Sequence, residues 1–297
     1  MKLKFLKDEI NARPIDDFLG LSPNQIHLLL YYPFEDFEHI LTFDSSFDEA
    51  LLKDVPVVDK TTLLIKLIGG AGEVKATKNG NLPLKIVNAL YDNPFPDTRH
   101  TAPSEDYALD VLALRLTVMR LGWIKKRNQR YSLTRKGQQI FDEGFTPHHY
   151  IILLQYWLRR YNWSFTDGYR GCQIVQAAAL FSLWVLHRKA REHLAIKSFI
   201  DAFIRGFPMA VEEAIPIEFA NITATDELSS VIDLRFIERF AQYFGLIECT
   251  ADENFFSWER IEKAQIRITP LFDAALRWFP PEKQKVVLNV PPTSVLQ

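Results

Sequence analysis

Arg120-Leu121-Gly122-Trp123-Ile124-Lys125-Lys126-Arg127-Asn128-Gln129-Arg130-Tyr131-Ser132-Leu133-Thr134-Arg135-Lys136-Gly137 is the stretch whose reading decides the fold. Upstream of it, Leu109, Leu112, Leu116 and Met119 fall at helical spacing, and Ser104 with Glu105 and Asp106 suits the start of that helix. Leu121-Gly122 stops it, because glycine takes the left-handed conformation a helix end needs. Trp123-Ile124 and Tyr131 to Leu133 predict two short strands around a basic loop. Thr134 then caps a helix that ends by Gly144. The order is helix, glycine turn, strand, loop, strand, Thr-capped helix.

Two fainter echoes flank this stretch. Downstream, Phe240 to Phe244 leads into Gly245-Leu246-Ile247-Glu248, a long polar excursion, then Ile266-Arg267-Ile268-Thr269-Pro270 and a helix to Phe279. Upstream, Leu63 to Ile68 leads into Gly69-Gly70, then Val74-Lys75-Ala76-Thr77-Lys78-Asn79-Gly80 and a helix to Leu90. Gly69 to Gly72 reads as a turn, lacking the Lys-Ser/Thr ending of a phosphate loop.

Leu-Gly-Trp-Ile, the basic loop and Ser-Leu-Thr-Arg-Lys-Gly resemble winged-helix regulators of the multiple-antibiotic-resistance type, in which a Leu-Thr-x-x-Gly step follows the wing. The resemblance covers about 105–143. It implies a helix that enters the major groove and a wing that touches the backbone or minor groove. The upstream echo keeps Thr77-x-x-Gly80, whereas the downstream one has Thr269-Pro270. Separately, Leu21-Ser22-Pro23, Leu28 to Phe34 and Thr77-x-x-Gly80-Asn81-Leu82-Pro83 resemble segments of bacterial proteins, a likeness that carries no function with it.

The expected fold class is mainly α with small β wings: tandem winged-helix-like units around a buried helical centre. Residues 1–92 form an N-terminal helical region with a first such unit, and 104–145 a basic unit. Residues 146–206 form an apolar helical segment, and 207–297 an acidic unit with an extended tail. Ser22-Pro23-Asn24-Gln25 starts a helix with a capping box. Pro94, Pro96 and Pro103 mark a linker, and the helices at 148–161 and 173–186 are apolar nearly all round, as core helices are.

Charge is unevenly spread. The net charge is only -2, yet residues 115–197 carry 15 basic and 4 acidic side chains, while both flanks are acidic. From Arg115 to Lys136 there are eight basic residues and no acidic one. Lys125, Lys126, Arg127, Arg130, Arg135 and Lys136 are the candidate phosphate contacts, and double-stranded DNA the expected partner. The preceding helix argues the other way. It starts with Glu105, Asp106 and Asp110 and carries no Arg, Asn or Gln where bases would be read. The downstream wing holds Asp252, Glu253, Glu259 and Glu262. The rival expectation is therefore a non-catalytic interaction or scaffold protein, whose units bind a protein partner or a second copy as a homodimer.

No catalytic residue, metal site or cofactor is expected. His148-His149 read as helix-start residues, and His187 and His193 are six apart, off the i, i+4 spacing of a metal-binding face. Cys172 and Cys249 read as free thiols, consistent with a reducing, cytoplasmic setting. No stretch suits a membrane span. Tyr156 to Phe165 interleaves aromatics with cations as single-strand binders do, but reads as core with Arg stems lying over it.

Overall fold

The computed structural model describes residues 10–91, 104–216, 222–250 and 257–279. The protein is mainly helical with small antiparallel sheets. In chain order the elements are α1 Pro23–Tyr31, β1 Leu41–Phe43, α2 Pro56–Ala71, β2 Glu73–Lys75, α3 Leu84–Leu90 and α4 Leu109–Arg120. There follow β3 Ile124–Arg127, β4 Arg130–Leu133, α5 Arg135–Glu143, α6 Pro147–Arg159, α7 Ile174–Ala177 and α8 Ala179–Lys189. The chain continues with β5 Leu194–Ala195, α9 Ile196–Gly206, α10 Ala210–Glu213 and α11 Ala224–Ile232, which widens to π-type turns over Asp233–Gln242. Last come β6 Ile247–Cys249, α12 Ser257–Lys263, β7 Gln265–Ile268, α13 Pro270–Ala275 and β8 Leu276–Trp278.

Three sequence echoes become two sheets. The upstream echo makes no sheet of its own, since β2 pairs antiparallel with β4, Val74 opposite Tyr131, and the order is β2-β4-β3. A three-residue strand cannot stand alone and takes the free edge of the hairpin formed sixty residues later. The Gly69-Gly70 turn is also corrected. Helix α2 continues to Ala71 and stops at Gly72, whose φ is 69°. Gly69 lies inside the helix, at a point where a side chain would strike Phe141 and Leu133 of the packed unit.

The second sheet repeats the first. Its order is β5-β7-β6, again with the earliest strand pairing the latest. The hydrogen bonds recur as well. Thr134 Oγ1 donates to the Gly122 carbonyl and accepts from Gly137 N–H; Thr269 Oγ1 donates to the Gly245 carbonyl and accepts from Phe272 N–H. Trp123 N–H bonds back to Val118, and Leu246 N–H to Ala241. The first unit runs helix, strand, helix, helix, hairpin; the second keeps that order but adds the short α10 between α9 and α11 and inserts α12 into its hairpin loop. Gln173 to Leu186, expected as one helix, breaks at Ala178, and the helix expected from Ser104 starts only at Leu109. Glu105 is instead drawn inside, where it binds Arg115 and the Leu82 N–H.

A layer centred on α6 joins the two units. Tyr150 donates its hydroxyl to the Phe244 carbonyl at 2.7 Å, Trp157 lies against Tyr243 and Phe244, and Trp163 stacks on Phe240 at 4.9 Å. The run Tyr156 to Phe165 thus supplies core, with Trp157, Tyr161 and Trp163 buried. The Arg159 guanidinium closes the end of α1 by donating to the Leu29 and Leu30 carbonyls. The capping box at Ser22 and Gln25 forms as expected.

Candidate nucleic-acid interface

The hairpin β3–β4 turns through Asn128 and Gln129, both with positive φ, which matches the tight two-residue turn of a twisted ribbon. Side chains alternate across a strand, so the register decides who shares a face. Lys125 and Glu73 flank Ser132 of the central strand, and Arg127 and Lys75 flank Arg130. These six form the outer face of the sheet. The inner face holds Val74, Ile124 and Tyr131, all buried.

All six candidate contacts, Lys125, Lys126, Arg127, Arg130, Arg135 and Lys136, are exposed. Lys125, Arg127 and Arg130 share the outer sheet face, and Arg135 and Lys136 sit on the first turn of α5. Lys126 departs from the group. Its strand position points inward, and its ammonium reaches round to the Gly80 carbonyl at 3.2 Å, near the Tyr131 ring. The Tyr131 hydroxyl donates to the same carbonyl. Arg130 lies 3.6 Å from Glu73, a pair more than half exposed on both sides and therefore worth little.

Lys75 and Lys78 were not foreseen. Lys75 enters the face by pairing with Arg130, and Lys78 is exposed on the loop held against the tip by the Ala76 N–H to Gln129 carbonyl bond. Only the run of single Lys residues in the upstream echo hinted at them; their partner strand lies too far along the chain to be read from spacing.

Arg115 leaves the footprint altogether. It is 7 % exposed and bound to Glu105 at 2.5 Å, while Asp110 is bound to Lys60 at 3.0 Å. Glu105 and Asp110 are thus neutralised internally, while Asp106 stays exposed ahead of α4. More decisively, α4 is covered. Val111, Leu114, Thr117 and Val118 are fully buried, α6 and the turn at Trp163–Thr166 pack on it, and only Arg120 is exposed along its length. The equivalent helix of the second unit, Ala224 to Gln242, buries Leu228, Val231, Ile232, Phe236, Ile237 and Phe240 in the same way.

The second unit serves as an internal comparison. Aligned on the two capped threonines, Glu248 stands where Lys125 does, Thr250 where Arg127 does and Gln265 where Arg130 does. Glu248 is bound to Arg267 at 2.7 Å. Its inserted α12 is pinned by Arg260, which donates to Asp233, Glu238 and Gln242. The cationic face belongs to one unit alone.

Among the described residues, no group of three His, Cys, Asp or Glu side chains is placed to hold a metal. The His149 ring nitrogen accepts from the Thr146 N–H and so caps α6. Burial pushes the Cys172 thiol up to about 11, so it stays protonated and unreactive. No helix among the described residues is long and apolar enough to cross a membrane.

His187 stacks on Trp184, lies near Trp278, and touches Arg191. Burial first and Arg191 second push its pKa down to about 4. The unfolded chain, with an ordinary histidine near 6.5, then binds the proton more readily than the folded one. Stability from this residue is complete above about pH 6.5 and is lost as pH falls toward 4. The urea midpoint is expected to drop on going from neutral to mildly acidic pH, and His187→Phe to flatten that drop. Identical pH profiles for the two proteins would contradict it.

No family model matches the chain, and no curated protein or solved structure matches it either.

Proposed function

We propose that the protein is a non-catalytic nucleic-acid-binding protein built from two winged-helix-like units, of which the first holds phosphates on its cationic sheet face. The observation that carries this reading is the outer face itself. Lys75, Lys125, Arg127 and Arg130 stand on three rigid strands with Glu73 the one acidic side chain among them, and Arg135 and Lys136 follow at the helix start. The strand order β2-β4-β3, with helices before and between, is the order the winged-helix reading requires. A regulatory role fits the same surface.

The test is duplex DNA binding across a salt series. Each phosphate neutralised contributes about -0.9 to the slope of log K against log salt. The triple variant Lys125→Ala, Arg127→Ala, Arg130→Ala is expected to flatten that slope by about 2 to 3. Arg267→Ala, on the equivalent face of the second unit, should leave it unchanged. Equal slopes for wild type and triple variant would sink the reading. The burial of α4 and its counterpart would then favour the scaffold reading, in which the units bind a protein partner or a second copy.

A further inference from the structure

Resting on that reading, we infer that the ligand of the cationic face is double-stranded DNA held through its backbone alone, without selection of sequence. Three independent features of the face lead there. The first is what cannot enter a groove. Helix α4 would have to present base-reading side chains to the major groove, but it is enclosed between α2, the sheet and α6, and its one exposed side chain is Arg120 at the far end. The helix of the second unit buries its apolar face likewise and exposes only Thr225 and Asp226, in its first turn, where Asp226 is held by Thr223. Direct readout needs donors and acceptors laid along base edges; α4 lays none along a groove, and an acidic first turn is repelled by the phosphates that flank one.

The second feature is what the face lacks. Single strands are held by aromatic rings on which bases stack, each contributing about 1–3 kcal/mol. Tyr131 is the only aromatic residue of the three strands, and it is fully buried on the opposite face with its hydroxyl spent on Gly80. A single strand would find charge here but no platform. The third feature is rigidity. The cations stand on paired strands whose edges are fixed by the register Lys75–Arg130–Arg127, so their spacing is set before binding. Neighbouring strands lie about 4.8 Å apart, and alternate residues about 6.8 Å apart along a strand. A fixed lattice of charges suits the regular phosphates of a duplex better than a flexible strand.

The experiment uses the full chain and a labelled duplex of about 20 base pairs, competed by three unlabelled nucleic acids. They are a second duplex of unrelated sequence, a duplex of inverted base composition, and one isolated strand of the first. The duplexes are expected to compete within about threefold of one another, against the 10³-fold or greater discrimination typical of a sequence reader. The single strand should compete at least about tenfold more weakly, an energy difference of about 1.4 kcal/mol. Arg127→Ala with Arg130→Ala should weaken all duplexes by one common factor. Strong preference for one duplex, or a single strand that outcompetes its own duplex, would overturn the inference while leaving the phosphate-face reading intact. Failure of every nucleic acid to compete in a salt-dependent way would overturn both.

Discussion

Gly137→Ala is expected to lower stability by about 3 kcal/mol, at the upper end of what overpacking a tight site costs. A Cβ built on Gly137 would lie 1.9 Å from the Trp123 carbonyl oxygen, and that oxygen cannot turn aside. It accepts the Thr134 N–H at 3.0 Å, which closes the base of the hairpin. The helix start would have to lift away from the strand, dragging Thr134 from the Gly122 carbonyl. The hydrogen-bond pattern alone does not demand glycine, since Phe272 fills the same position in the second unit and bonds Thr269 in the same way. Close approach does. Gly70→Ala is the control: nothing lies within 4 Å of its added carbon, and its helical position should gain about 0.5–1 kcal/mol. Denaturant midpoints of the two variants moving in the same direction would contradict this account.

Arg235→Ala is expected to cost about 3–5 kcal/mol, the usual loss when one partner of a buried ion pair is removed. The guanidinium meets the Asp167 carboxylate through two of its nitrogens and donates as well to the Tyr169, Gly171 and Cys172 carbonyls. Both charged side chains are almost wholly buried. The loop they hold turns through Gly168, Gly171 and Cys172, all with positive φ, a conformation that costs most at the cysteine. Without the arginine, three carbonyls and a carboxylate face one another in the interior. Arg235→Lys keeps the charge but loses the planar fork, so its denaturant midpoint should fall between wild type and alanine. A loss below about 1 kcal/mol for Arg235→Ala would show that water can replace the clamp.

Residues that signal locally were legible in the sequence. Gly122, Thr134 and Gly144 bound their helices where expected, and the cap at Ser22 forms. The exposure of Lys125, Arg127 and Arg130 follows from alternation on a strand. Contacts between distant segments were not legible. Nothing near Lys75 says that it will lie beside Arg130, and nothing near Glu105 says that it will be buried against Arg115. The apolar character of 148–161 foretold a core helix, yet not that it would cover α4. The π-type turns over Asp233–Gln242 also escape a search tuned to 3.6-residue periodicity.

The pairing of β1 with β8 joins Leu41, Thr42 and Phe43 to residues more than two hundred positions later, with Arg277 bound to Asp44 beside it. Leu41 stands opposite Trp278 and Leu276 opposite Phe43, with both leucines buried. During synthesis the early strand therefore waits, unpaired, until the second unit has emerged from the ribosome. Long-range closures of this kind are late events in folding. The strand pair works as a clasp fastened last, and the N-terminal segment shares the fate of the second unit rather than that of the basic unit next to it in sequence.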